Sequence, residues 1–149
     1  MSKSIGPGHE VLLAFLAASN TMSRKSDAFF SRFKITPAQF NVLNLAMTHG
    51  GTIAQKELVS GLLVGKASVS IVLRRMLRDG LLTQKPDPAD LRKSVITLTS
   101  KGKKQWKRTA PEYGKAVERI FGEYNAKELK EFQKLLVKLD QSLGKTIKE

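Results

Sequence analysis

Between residues 10 and 33, apolar side chains return at helical intervals. Phe15, Ala18, Met22, Phe29 and Phe33 fall at spacings compatible with one face of a long helix. Pro37 opens a second helix, capped by Thr36, with the proline in the first turn where a missing N–H costs nothing. Phe40, Leu43 and Met47 form its apolar stripe, and Gly50-Gly51 ends it. A third, short helix is predicted over 53–60, with Thr52 and Gln55 at capping-box spacing and Leu58 and Val59 turned inward. A fourth covers 66–78. Its apolar residues Val69, Val72, Leu73, Met76 and Leu77 occupy an arc of about 140° at about 100° per residue. Ala67, Ser68, Ile71, Arg74, Arg75 and Arg78 take the opposite arc, and Gly80 stops the helix.

Residues 81–85 and 94–98 read as two strands around Pro86-Asp87-Pro88-Ala89-Asp90, a turn sequence rich in proline and aspartate. The expectation is a short hairpin with a long basic tip. Thr99 caps a fifth helix running towards Tyr124. Pro111 lies inside it, removing one hydrogen bond and predicting a bend near Thr109. In the last helix, 126–147, Leu129, Phe132, Leu136, Leu139 and Leu143 are spaced 3, 4, 3 and 4. That is the a/d seam of a helix paired with another, within one chain or between two.

Composition narrows the chemistry. The 149 residues, 41% of them hydrophobic, suffice for one domain with a helical extension. The absence of cysteine excludes a disulfide scaffold, thiolate zinc sites, a cysteine nucleophile and thiol-based redox sensing. With 26 Lys and Arg against 13 Asp and Glu, the net charge of +13 points to a polyanionic partner, nucleic acid or an acidic membrane. Residues 61–110 hold 12 of the cations and three acids, which concentrates the excess where the fourth helix and the hairpin fall. His9 and His49 are the only histidines, with no carboxylate or second histidine at ligand spacing. No glycine-rich phosphate loop or nucleophile elbow occurs, so the expectation is no enzyme, no cofactor and no metal. His49, near a helix end, is a favourable C-terminal charge.

The apolar run 11–18 is eight residues long, against about 20 for a membrane span. His9 and Glu10 abut its start, where a secretory signal carries positive charge. The basic residues lie on a hairpin and a helix rather than around one apolar stripe, so no membrane partner and a cytoplasmic location are expected.

Three helices followed by a two-stranded hairpin is the order of a winged helix-turn-helix. The fold class is therefore mostly α with a small β wing, flanked by N- and C-terminal helices. In that arrangement the 66–78 helix enters the major groove of double-stranded DNA with its N-terminal residues at base edges. Ser68, Ser70 and Arg74 are the candidate readers, since hydroxyls bond bases or phosphate and arginine prefers guanine O6 and N7. Lys66 and Arg75 are candidate phosphate partners. Ile71 faces outward, to a thymine methyl or as a shield for the backbone; Arg78 and Lys85 solvate. Arg92 at the hairpin tip suits a narrow minor groove. Asp90, two residues away, would hold Arg92 or an arginine of the helix, and Lys93 would meet phosphate. Taken alone, Asp90 and Arg92 also fit a solvated turn pair.

Asp90-Leu91-Arg92, then Leu98-Thr99 and Gly102, resembles the wing signature of MarR-type transcriptional regulators, D-x-R followed after five residues by L-T-x-x-G. Leu73 with Leu77-Arg78-Asp79-Gly80-Leu81 resembles the end of that family's recognition helix. The resemblance covers residues 35–102, and the flanking helices match in length and order. It implies a DNA-binding domain at 35–108 and dimerisation helices at 1–34 and 109–149. The seam at Leu129, Phe132, Leu136, Leu139 and Leu143 would then join a homodimer reading an inverted repeat, half-sites about one helical turn apart. Repression by occlusion is the family's default mode. The resemblance also implies a cleft for small phenolic or aromatic carboxylate effectors, lined by the first, second and fifth helices. Met22 and Trp106 are its candidates, although a lone tryptophan on a helix is more often core. Two positions depart from the family pattern. Ile71 stands where a polar or basic residue is frequent, and Gly65 replaces a serine cap, at a cost of a few tenths of a kcal/mol. The rival reading is an architectural DNA-binding protein without sequence preference, which would lose tight binding to every sequence once competitor DNA is added.

Overall fold

The computed structural model describes residues 5–62 and 66–146, apart from the side chains of Lys66, Ala67 and Thr146. Leu63, Val64 and Gly65 lie outside the described residues, as does Ile147. The elements run α1 (Pro7–Ser31), α2 (Pro37–Thr48), β1 (Thr52–Ala54), α3 (Gln55–Gly61), α4 (Lys66–Arg78), β2 (Leu82–Asp87), β3 (Asp90–Leu98), α5 (Ser100–Phe121) and α6 (Ala126–Thr146). Packing divides the chain into two units, Met1–Ala110 and Pro111–Glu149, with the division inside α5 at Pro111.

The first unit is a winged helix-turn-helix. Its core gathers Phe30 from α1, Phe40 and Leu43 from α2, Leu58 from α3, Val69, Leu73 and Met76 from α4, and Leu82, Ile96 and Leu98 from the sheet. The Phe30 and Phe40 rings lie 4.8 Å apart, joining α1 to α2. Thr36 begins α2 as expected: its Oγ1 accepts from Gln39 N at 3.1 Å, and Gln39 Oε1 accepts from Thr36 N at 2.9 Å. On α1 only the C-terminal end of the predicted face packs. Phe29 and, just beyond the helix end, Phe33 join the core, while Phe15, Ala18 and Met22 are exposed.

Two expectations need correction. Thr52 and Gln55 form no capping box. Thr52–Ala54 is instead a strand, and α3 begins at Gln55 without a side-chain cap. Thr52 Oγ1 lies 3.2 Å from Thr97 Oγ1, so the cross-strand partner takes the group that would have capped the helix. The sheet therefore has three antiparallel strands in the order β1-β3-β2, not two. The hairpin loop is also shorter than predicted. Pro86-Asp87 and Asp90 to Lys93 belong to the strands, only Pro88-Ala89 turns, and Asp87 Oδ1 accepts from Ala89 N at 2.8 Å. Pro86 is tolerated because β2 is an edge strand.

The recognition helix, the hairpin and α5 meet at one backbone joint. α4 ends with Gly80 at φ +70°, Gly80 N donating to Leu77 O and Leu81 N to Met76 O, the paired bonds of a Schellman turn. Leu81 O then accepts from Thr99 N at 3.1 Å. Thr99 Oγ1 donates to Gly80 O at 2.7 Å and accepts from Gly102 N at 3.1 Å, capping α5 as predicted. A Cβ at Gly102 would collide with the Leu81 carbonyl oxygen. The L-T-x-x-G sequence is thus the chemistry of this joint. Farther along, Phe33 O accepts from Gln105 Nε2 at 2.9 Å and from an Arg108 guanidinium nitrogen at 2.8 Å, tying α5 to the end of α1. α5 remains helical through Pro111, and Thr109 is fully buried with its Oγ1 donating to Gln105 O at 3.0 Å.

In the second unit, α6 starts with an unanticipated capping box: Asn125 Oδ1 accepts from Glu128 N at 3.0 Å and Glu128 Oε2 from Asn125 N at 2.8 Å. Gly102→Ala should lower the unfolding free energy by about 1–3 kcal/mol through overpacking. Urea denaturation checks this; an unchanged midpoint would mean the joint relaxes without penalty.

Candidate nucleic-acid interface

Burial of Val69, Leu73 and Met76 fixes the rotation of α4 about its axis. Ser68, Ile71, Arg74, Arg75 and Arg78 are consequently exposed, as predicted from periodicity, and Ser70 beside that arc is exposed as well. Ile71 is 49% exposed and shares a shallow concavity of about 320 Å3 with Arg74, Arg75 and Arg78. Among the described residues Arg74 and Arg75 have no carboxylate partner, whereas Arg78 Nε pairs with Asp79 Oδ1 at 3.2 Å. That pairing agrees with a solvating role for Arg78. Lys66 lies in the first turn of α4, with its side chain outside the described residues.

On the wing, Asp90 organises the tip. Its Oδ1 accepts from Arg92 Nε at 3.1 Å and from Arg92 N at 3.2 Å, while Oδ2 lies 3.5 Å from Lys93 Nζ. Of the two partners considered for Asp90, the carboxylate takes Arg92, and it takes Lys93 as well. These bonds, the Arg92 side chain foremost, hold the Asp90 carboxyl below its ordinary value. The Arg92 side chain remains 92% exposed, so the clamp restrains the guanidinium without withdrawing it from solvent.

Three residues of this surface were not among the interface candidates. Leu91 stands 77% exposed at the wing tip, an apolar side chain on the face of β3 opposite the buried Ile96 and Leu98. Gln84 Nε2 donates to Gln55 Oε1 at 2.8 Å, bridging β2 to the first residue of α3. These amides lie 29 residues apart, and only strand register brings them together. Another correction concerns charge. Lys101, Lys103, Lys104, Lys107 and Arg108, five of the 12 cations of residues 61–110, lie on α5 rather than on α4 or the hairpin.

The remaining candidates separate. Trp106 is half-buried against the core, its Nε1 donating to Asn44 Oδ1 at 3.0 Å, whereas Met22 is exposed on α1. In the second unit, Leu129 and Leu139 are half-buried and Phe132, Leu136 and Leu143 exposed. Val117, Phe121, Leu129, Phe132 and Leu136 line an apolar groove of about 620 Å3. His49 Nδ1 lies 2.9 Å from Leu45 O at the end of α2. Among the described residues no group of three or more His, Asp or Glu is placed to hold a metal, and no helix is long and apolar enough to cross a membrane.

A cationic helix exposed beside a clamped wing is the DNA-reading half of a winged helix-turn-helix transcriptional regulator. The sequence profile described as MarR family matches residues 33–93. The chain is similar to an uncharacterized HTH-type transcriptional regulator of Bacillus cereus, 30% identical over 105 residues that span 70% of this chain and 69% of that one. It is also similar to the HTH-type transcriptional repressor YetL of Bacillus subtilis, 26% identical over 138 residues, 91% of this chain and 81% of YetL. In fold it is similar to S. aureus MepR in complex with DNA, with a TM-score of 0.77, 24% identity, and 87% of this chain and 94% of MepR covered. The organohalide-sensing regulator RdhR-CbdbA1625, in its 2,4-dichlorophenol-bound form, superposes with a TM-score of 0.81 at 18% identity, covering 94% of this chain and 83% of that one. The chain belongs to the MarR family of DNA-binding transcriptional regulators, and it is not an enzyme.

The sign of the Asp90 shift fixes a pH dependence. A carboxyl whose folded-state value is depressed stabilises the wing clamp above the ordinary aspartate range, and the contribution is lost as pH falls through the lowered value. NMR titration should find Asp90 protonating below the ordinary aspartate range, with Arg92→Gln moving it back up. An Asp90 midpoint that Arg92→Gln leaves unchanged would remove the clamp.

Proposed function

We propose that the protein is a homodimeric repressor that occludes promoter DNA by binding an inverted repeat, with α4 in the major groove and the wing in the flanking minor groove. The observation that carries this reading is the exposed face of α4, with Ile71 and two arginines that have no carboxylate partner among the described residues, beside a wing arginine held by Asp90. Ser68, Ser70 and Arg74 read bases, Ile71 meets a thymine methyl, and Lys66, Arg75 and Lys93 hold phosphates. Arg92 enters the minor groove, where the Asp90 clamp has already reduced its rotamer freedom.

A single lobe reads one half-site, so specificity over a whole operator needs two. The seam Leu129, Phe132, Leu136, Leu139 and Leu143 stays partly uncovered in one chain, with Phe132 45% exposed, which supports its use by a second copy. Repression agrees with the mode named for YetL. An aromatic effector, the class held by the 2,4-dichlorophenol-bound relative, would release DNA by favouring a dimer with mismatched half-site spacing. Met22 and Trp106 remain its candidate contacts; Trp106 would have to exchange its bond to Asn44.

Selection of binding sites from a random duplex pool should return one inverted repeat, and Arg74→Ala should relax preference at a single base pair of each half-site by about 1–3 kcal/mol. A pool recovered without consensus would favour an architectural binder. Leu136→Glu should yield monomers in light scattering; a persistent dimer of that variant would reject the seam.

A further inference from the structure

Between Asp90 and Glu112 the chain carries seven cations and no acid. Two, Arg92 and Lys93, belong to the wing; the other five are Lys101, Lys103, Lys104, Lys107 and Arg108 at the start of α5. Gly102, Gln105, Trp106 and Thr109 form the packed side of this helix. At about 100° per residue, the five cations fill the opposite arc of about 160°. The placement is locally unfavourable. α5 has no acidic residue in its first turn, so positive charge crowds the positive end of the helix dipole. Lys103 and Lys107, and Lys104 and Arg108, are like-charged neighbours four positions apart. Arg108 is occupied by Phe33 O and Lys101 Nζ by Asp79 O at 2.7 Å. Lys103, Lys104 and Lys107 are exposed and, among the described residues, have no carboxylate within ion-pair distance.

This cluster is not an extension of the wing tip. β3 runs from the tip at Asp90 to its base at Leu98, about 26 Å at about 3.3 Å per residue, and α5 starts beyond that base. We infer that the exposed face of α5 is a second cationic ridge, which holds the phosphate backbone of double-stranded DNA outside the stretch gripped by α4 and the wing. The inference rests on the duplex-binding reading above. Lysines suit this partner, being point charges that need no planar match. The face offers no apolar centre of the kind protein interfaces use. A polyanion relieves the repulsion and releases counterions in proportion to the phosphates neutralised.

The test uses the full-length protein and one duplex recovered from the random pool, embedded in either short flanks or flanks of about two helical turns. For the unaltered protein, the plot of log affinity against log salt should be steeper on the long duplex by about 2–3, the slope expected for three phosphate contacts. The triple variant Lys103→Gln, Lys104→Gln, Lys107→Gln should lose that increment, keep the unaltered protein's slope on the short duplex, and melt at no lower temperature. Equal slopes on both duplexes for the unaltered protein, as an acidic protein partner would produce, overturn the ridge. So does a triple variant that keeps the steeper slope, or one equally weakened on the short duplex. No binding to either duplex would instead overturn the duplex reading itself.

Discussion

The reading surface depends on one backbone joint. At Leu81 the chain leaves the recognition helix and enters the hairpin, and at Thr99 it returns and enters α5. The carbonyls of Gly80 and Leu81 accept the Thr99 hydroxyl and amide, while Gly102 lets α5 approach without a side chain between. Three elements thereby share a single fixed corner. Short polar bonds at this corner hold the helix and the hairpin in constant register better than apolar contact, which tolerates sliding.

Around that corner the packing is ordinary and the charge is not. The core takes its large residues from every element of the first unit, leaving one face of α4 exposed and cationic, with no carboxylate partner at Arg74 and Arg75 among the described residues. The wing works differently. One carboxylate holds two cations at a tip otherwise open to solvent, restraining the arginine at the expense of part of its charge. The helix offers unneutralised charge, and the wing offers a guanidinium with reduced freedom.

Much of this was legible in the chain. The apolar stripe of α4 predicted its buried and exposed faces because helical periodicity is set by the backbone alone. The cap at Thr36 and the stop at Gly80 were legible for the same reason: both are local bonds between near neighbours. What escaped was long-range. β1 is three residues long, and Thr52 and Gln55 carried a helix-start pattern that cross-strand pairing with Thr97 overrode. The Gln55–Gln84 bridge depends on register, which no local pattern encodes. Counting charge along the sequence placed the α5 lysines with the reading surface, although the chain passes from wing to scaffold between them. Of the exposed residues of this surface, Arg74, Arg75 and Arg92 were picked out by type and spacing, and Leu91 was not, because an apolar residue normally signals a core.

The single tryptophan adds a practical consequence. Its indole N–H is bound to Asn44 on α2 while the ring leans on the core from α5. Any displacement between those two helices must change the polarity around the ring or break that bond, and indole emission responds to both. The protein therefore carries its own optical gauge of the α2–α5 contact, free of interference from a second fluorophore of the same kind.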